Sequence, residues 1–435
     1  MIDLSINFAG IHSPNPFWLA SGPPTNSAKQ IHEAFEAGFG GAVWKTIGAK
    51  VINVSNRYAL YKRGNKILGM HNLELISDRP LSINLKEIQE IKKLWPRRAL
   101  IVSIMEEYDR KKWEELALKV EDTGADGIEL NFGCPHGMPE RGTGSKIGQD
   151  PALCAEVTSW VRRVSSLPLI VKLTPNVTDI RRTAQAALLG GASALSLINT
   201  VESLMGVDID TFEVLPNIGA KSSQGGYSGE AIKPIALNLT AKVASMEQVQ
   251  SNRIPISAMG GISNWRDSVE FLLLGATSLQ ICTAVMLKGF RIIEELLSGL
   301  KNWMRSKDFS TLSEFRGKSL CKVVPFSELD TTFRTVARIN TQKCIGCNLC
   351  YVVCDNSAHQ CIELDENDAL ASEQAHLKEK NRHFPQVKEQ DCVGCALCYH
   401  VCPADSCIEL IIANPIEKKT AGNETSPTAL AASLF

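Results

Sequence analysis

The sequence carries almost no net charge: 46 lysines and arginines stand against 47 aspartates and glutamates, leaving −1 at neutral pH. It therefore lacks the broad basic field that would draw in nucleic acid or an anionic membrane. It also lacks an uninterrupted apolar run approaching the ~18 residues of a membrane-spanning helix. Its first residues, MIDLSINF, have neither the basic start nor the apolar core of a secretory signal. A cytoplasmic protein with neither membrane nor nucleic-acid partners is expected. A dinucleotide fingerprint is missing as well. GTGSKIG at 142–148 follows no strand pattern and does not satisfy G-x-G-x-x-G, so no nicotinamide site is expected on this chain.

What is present is enough apolar material for a large core. Hydrophobic residues make up 44% of the 435 and charged residues 21%, ordinary values for a globular chain. At roughly 150 residues per domain, that length accommodates two or three domains, or one large barrel with a small module. Up to about residue 305 the sequence alternates β-branched runs with amphipathic stretches. Strands are predicted over 17–21, 41–46, 100–105, 127–132, 168–174, 194–200, 255–261 and 278–283, with helices such as 109–123 and 263–275 between them. Repeated strand-helix units over this length predict an α/β fold, a (β/α)8 TIM barrel over 1–305, with a doubly wound open sheet as the competitor. Residues 306–337 read as a linker, 338–412 as a second, α+β domain, and 413–435 as a tail too polar to fold.

Fourteen cysteines, most of them beyond Cys321, mark that second domain. In a chain without a secretory signal, clustered cysteines point to metal rather than disulfides. The run C-x2-C-x2-C-x3-C occurs twice, at Cys344, Cys347, Cys350 and Cys354, and at Cys392, Cys395, Cys398 and Cys402 followed by Pro403. Three thiolates on a tight turn plus a fourth from elsewhere suit a [4Fe-4S] cluster, and in the two-cluster ferredoxin arrangement the last cysteine of each run serves the other cluster. Cys344, Cys347, Cys350 and Cys402 are thus assigned to one cluster, and Cys392, Cys395, Cys398 and Cys354 to the second. Zinc is the competing reading, although zinc sites usually come as paired C-x2-C knuckles. Cys361, Cys407 and Cys154 are expected as small buried hydrophobes.

In a (β/α)8 barrel the chemistry sits at the C-terminal ends of the strands. Those ends hold Ala20 and Ser21, Lys45 and Thr46, Asn131 with Cys134, Lys172, Asn199 and Thr200, Gly260 and Gly261, and Cys282 and Thr283. Lysines and amides around one cavity, with glycine pairs and Ser228-Gly229 offering backbone N–H donors after the sixth and seventh strands, suit a flat heterocycle bearing a phosphate. FMN meets that description, a lysine stabilising the negative edge of the reduced ring. Cys134 is the reactive candidate. A thiol with an ordinary pKa of about 8.5 is protonated at neutral pH and can supply the proton when a conjugated C=C is reduced.

NFGCPHG, KLTPNVTD, INTV, GGYSG, AMGGI and LQICTAV, followed by the paired cysteine runs, resemble dihydropyrimidine dehydrogenases over nearly the whole chain. The likeness is closest to the barrel-plus-ferredoxin subunit of the two-subunit, NAD-dependent form. The barrel is also similar to dihydroorotate dehydrogenases, which generally lack the fused ferredoxin. The resemblance implies that Lys45, Thr46, Lys172, Ser228, Gly229, Gly260, Gly261 and Thr283 hold FMN. It implies that Asn72, Glu74, Asn131, Asn199 and Thr200 bind uracil or thymine, and that Cys134 is the proton donor. It further implies two [4Fe-4S] clusters, an FAD- and NAD-binding flavoprotein partner, and assembly as a homodimer or heterotetramer. One departure is Gly133, where the family has serine before the cysteine. Three alternatives stand beside this reading: a dihydroorotate-type enzyme, a tRNA dihydrouridine synthase, and a non-catalytic electron-transfer subunit. The ferredoxin and the absence of a basic domain speak against the second.

Overall fold

The computed structural model describes residues 2–48, 54–134, 142–364 and 384–413, in two compact units divided in the chain between Val323 and Val324. The first contains a closed barrel of eight parallel strands: β1 (Phe17–Leu19), β2 (Gly41–Gly48), β3 (Ala99–Met105), β4 (Gly127–Asn131), β5 (Leu169–Lys172), β6 (Ala194–Leu197), β7 (Ile256–Met259) and β8 (Ser278–Ile281). Each strand pairs with the next and β8 pairs with β1, Gln280 opposite Trp18, so the sheet has no edge. That closure excludes the open sheet. Except at Gly48, the strands are buried on both faces, as parallel strands under a helical layer must be, and this is why they read as continuous apolar runs.

The outer layer consists of α1 (Ala28–Ala37), α2 (Leu81–Leu94), α3 (Arg110–Glu121), α4 (Pro151–Val164), α5 (Ile180–Leu189), α6 (Lys233–Ala244), α7 (Trp265–Leu273) and α8 (Ile292–Ser306). Their starts are written in the sequence. Ser27, Asp109, Asp150, Asp179 and Asn264 each accept hydrogen bonds from the first free backbone N–H groups of the helix that follows. A hairpin of Ile6–Phe8 and Ile11–Ser13 lies at the N-terminal end of the barrel, where Phe8 meets Trp18 edge-on and Ile11 lies beside Gly127. The opposite end is left for the strand-end residues.

The segment expected as a linker is divided between the units. Leu312 and Phe315 are buried in the barrel core, Phe315 stacking on Phe309 and meeting Trp303 of α8, while Arg334–Ile339 is already a strand of the second unit. That unit contains β9 (Arg334–Ile339), α9 (Leu349–Asp355), β10 (Ile362–Leu364), β11 (Pro385–Val387), α10 (Leu397–Val401) and β12 (Ile408–Ala413). Its outer strands β9 and β12 pair antiparallel, as do β10 and β11, so strand-helix-strand halves embrace each other. The tail beyond 413 lies outside the described residues. No helix among the described residues is long and apolar enough to cross a membrane.

Candidate active site and cluster cradles

Parallel strands all end at the same mouth, and the structure brings every strand-end residue named from the sequence to one cleft. Asn72, Glu74, Ser228 and Gly229 come to the same cleft by a route the sequence reading did not foresee. Tyr58–Arg63, Lys66–Asn72, Gly225–Ser228 and Val201–Ser203 form a four-stranded antiparallel sheet, which joins the excursion after β2 to the one after β6. Asn72 is fixed there by its amide, which donates to the Gly226 carbonyl at 2.9 Å.

A chain of polar side chains crosses the mouth. The Thr46 hydroxyl lies 3.1 Å from Ser21 Oγ and 2.9 Å from Ser103 Oγ, and accepts from Asn131 Nδ2 at 2.9 Å. Asn131 Oδ1 accepts from Asn199 Nδ2 at 3.0 Å, and Asn199 Oδ1 accepts from the Thr200 N–H at 2.9 Å. Gly133 permits this arrangement. A Cβ there would lie 2.5 Å from Asn199 Cβ, so Asn199 occupies the space a side chain at 133 would need. Cys134 is buried beside Ile76 and Met105, with its residue lining the cleft. The rest of its loop, 135–141, lies outside the described residues.

Two carboxylates answer the two lysines. Glu74 pairs with Lys45 through one oxygen, and its other oxygen accepts from Tyr58 Oη at 2.5 Å and Arg57 Nη1 at 3.2 Å. Burial opposes its charge, but Lys45, Tyr58 and Arg57 outweigh that cost and hold the carboxyl below the usual glutamate range. Burial, reinforced by Glu74, pushes the Tyr58 phenol far up. Deeper in the barrel, Glu129 is fully buried with Oε1 3.9 Å from Lys172 Nζ. Its Oε2 accepts from Ser196 Oγ at 2.9 Å and Gln280 Nε2 at 3.2 Å, and Gln280 is held in turn by Ser257. Glu129 and Gln280 escaped the sequence reading. The signal was a glutamate in the middle of GIELNF, since a carboxylate in a strand buried on both faces needs a partner.

The far end of the cleft has a different character. Gly229, Gly260 and Gly261 all have positive φ (98°, 125° and 81°), and a Cβ on Gly261 would run into the Lys233 backbone and Gly229 carbonyl. Thr283 Oγ1 donates to Ser228 Oγ at 2.9 Å beside them. Backbone that only glycine can bring so close, two hydroxyls, and a pair of buried lysines at the opposite end fit a flat phosphorylated ring such as FMN. Cys282 also lines the cleft, and burial pushes its thiol up to about 11.

In the second unit, the two cysteine turns have the same backbone conformation: φ is 69° at both Gly346 and Gly394, and positive again at Asn348 and Ala396. Backbone amides face sulfur, Gly346 N of the first turn donating to Cys344 Sγ and Ala337 N of β9 to Cys392 Sγ, both at 3.4 Å. Cys354 and Cys361 line one small cavity together with Cys392, Cys395 and Cys398. Cys407 lies against Cys402 and Cys344. The structure thus brings Cys354, the last cysteine of the first run, to the sulfurs of the second run, and places Cys402 and Cys344 beside Cys407, a donor set that fits cubane clusters. Cys361 and Cys407 are buried as expected, in a small core where Val336, Ile362 and Ile408 pack together with cysteines of the two runs. Cys154 sits in the apolar core of the barrel.

Comparison with known proteins agrees with this division. The model of the dihydroorotate dehydrogenase family matches residues 3–304, and that of the 4Fe-4S dicluster domain matches 337–410. The chain is 41% identical over 366 residues to the NAD-dependent dihydropyrimidine dehydrogenase subunit PreA of Escherichia coli (strain K12), covering 84% of this chain and 88% of that one. It is 43% identical over 328 residues to the chloroplastic dihydropyrimidine dehydrogenase (NADP(+)) of Arabidopsis thaliana, covering 73% and 77%. It is 37% identical to the catalytic subunit of dihydroorotate dehydrogenase B (NAD(+)) of Pyrococcus abyssi, covering 73% and 99%. Among solved structures, dihydroorotate dehydrogenase from Eimeria tenella in complex with ferulenol superposes with a TM-score of 0.59 at 18% identity, over 72% of this chain and 88% of that one, a likeness of fold. A barrel with this cleft, joined to a cradle for two clusters, is the signature of the group: this chain belongs to the dihydroorotate dehydrogenase family, in the branch that carries a C-terminal 4Fe-4S dicluster domain and includes the dihydropyrimidine dehydrogenase subunits.

Proposed function

We propose that this chain reduces the 5,6 double bond of uracil or thymine to the 5,6-dihydropyrimidine. The observation that carries the reading is one cleft in which the buried Cys134 lies with Asn72, Asn131 and Asn199 at one end of a cradle suited to a flavin phosphate. Amide side chains offer both a donor and an acceptor, which is what the N–H and C=O edge of a pyrimidinedione requires. Ser228, Gly229, Gly260, Gly261 and Thr283 would hold the phosphate of FMN, Lys45 and Lys172 would stabilise negative charge on its reduced ring, and Ala20, Ser21, Thr46 and Cys282 would complete the pocket. When bound, FMN supplies the electron pair that the ring accepts at C6. The Cys134 thiol donates a proton to C5 and recovers one from solvent.

Two clusters would be held by Cys344, Cys347, Cys350 and Cys402, and by Cys392, Cys395, Cys398 and Cys354, and would supply the electron relay to the cleft from an FAD-binding partner subunit that oxidises NADH. The likeness to a named dehydrogenase subunit and the missing nicotinamide fingerprint support a separate partner. Assembly is a homodimer or a heterotetramer with that partner, working in the cytoplasm.

Orotate, the alternative substrate, brings a carboxylate that needs its own cation. Lys45 and Lys172 each already face a glutamate, which supports the uncharged pyrimidines. The test is anaerobic turnover of uracil, thymine and orotate by the reconstituted complex, with Cys134→Ala alongside. The variant retains FMN and loses about 10²-fold or more of uracil reduction, the usual contribution of a positioned acid. An unimpaired variant, or preferential turnover of orotate, overturns the assignment.

A further inference from the structure

The second unit holds two cysteines more than two cubane clusters require, and they are not equivalent. Cys361 brings two donors to Cys354: its backbone N–H reaches Cys354 Sγ at 3.4 Å, and its own Sγ lies 3.5 Å from the same atom while also bordering Cys392. Once Cys354 is an iron-bound thiolate it has no proton to give, so the S–H of the pair belongs to Cys361. Cys407 spends its donors differently. Its N–H goes to the Ala404 carbonyl, and its thiol, which lies against Cys402 and Cys344, donates to the Asn340 carbonyl at 3.6 Å. The cysteine turns themselves are near copies, so the backbone N–H that Cys361 brings to a ligand sulfur, and Cys407 does not, distinguishes the two cradles.

We propose that Cys361 is a positioning residue that raises the reduction potential of the cluster held by Cys354, Cys392, Cys395 and Cys398, and so sets the order in which the two clusters fill. One-electron reduction adds a negative charge shared among iron, sulfide and the thiolate sulfurs. A hydrogen bond to a cluster sulfur stabilises the reduced form more than the oxidised one. Two donors on one ligand sulfur act in the same direction, in a cradle where Cys354 and Cys361 are both buried and water cannot compete. Cys361 is not itself a ligand in this assignment. Its Sγ is too close to Cys354 Sγ for the two to bind separate irons at neighbouring corners.

This inference rests on the iron–sulfur reading of the second unit and is independent of the pyrimidine chemistry assigned to the barrel, because its test reads clusters rather than turnover. The full chain is prepared anaerobically as wild type, Cys361→Ala and Cys361→Ser. Iron and acid-labile sulfide are counted, and the two reduction steps are followed by EPR during titration with dithionite. Iron and sulfide content stay at the wild-type level in both variants. In Cys361→Ala one reduction step moves to lower potential while the other stays in place. In Cys361→Ser, which keeps an O–H donor, that step moves less. Unmoved steps in Cys361→Ala, equal displacement of both steps, or loss of iron in both variants overturns the proposal, the last by making Cys361 a ligand.

Discussion

Gly133→Ala puts the geometry of the cleft to a direct test. The φ of Gly133 is not in the left-handed region, so the substitution adds a methyl group without backbone strain. That methyl carbon would lie 2.5 Å from Asn199 Cβ and Nδ2, whereas carbon atoms in contact normally stand about 3.5–4 Å apart, so Asn199 must move by roughly 1 Å. Cβ is not the free end of a side chain, and the move disturbs the hydrogen bonds from Asn199 Nδ2 to Asn131 and from the Thr200 N–H to Asn199. Two hydrogen bonds at about 1 kcal/mol each make roughly 2 kcal/mol, equivalent to about a thirtyfold loss in kcat/KM. Gly133→Ser, which restores the residue usual in the resembling family, crowds Asn199 in the same way. The assay is initial-rate uracil reduction at several concentrations, with bound FMN and the thermal midpoint of the barrel as controls. Retained FMN with a raised KM fits the reasoning. A variant with wild-type kcat/KM would falsify the claim that Asn199 needs the space above Gly133.

Glu74 has a depressed folded-state pKa, so its contribution to stability is fully present above its unfolded value of about 4.3 and is lost as pH falls through the lower folded value. Wild type should melt above Glu74→Gln at pH 7, with the gap closing below about pH 4; a constant gap refutes the ion pairing. Glu129→Ala leaves Lys172 buried without its facing carboxylate and should cost about 3 kcal/mol in urea unfolding, part of which Lys172→Met in the same chain recovers. Strictly additive losses would show the pair to be uncoupled. Stripping iron should expose the second unit to protease while the barrel melts as before. Six of the ten buried core residues of that unit are cysteines, four of them assigned to the clusters, whereas the barrel has its own apolar core. Simultaneous loss of both units contradicts this.

The barrel was legible because its physics is local and repetitive. Strands buried on both faces can only be apolar runs, and Asp109 or Asn264 announces the helix behind it. The predicted strands at 194–200, 255–261 and 278–283 end later than the paired residues, because Asn199, Gly260 and Cys282 have already turned from the ladder to the cleft. Strand ends were therefore a sound guide to what lines the mouth. The antiparallel sheet beside it was not legible, since Asn72 pairs with Gly226 across more than a hundred residues and no local pattern records such a partner. Arg57 and Tyr58 escaped for the same reason: their link to Glu74 is made only when that sheet forms. Cys361 was read as a small hydrophobe from its spacing outside the motif, and only the fold shows which sulfur it meets.

The crossing of the two halves in the second unit has a consequence for how the protein is made. Arg334, near the start of the unit, is paired with Ala413 at its end, and Cys354 shares its cavity with cysteines that emerge from the ribosome only from Cys392 onward. Neither metal centre can be completed on a half-synthesised module. The barrel, whose strands join in order of synthesis, can begin to assemble while translation continues, but iron loading must wait until the module is fully made.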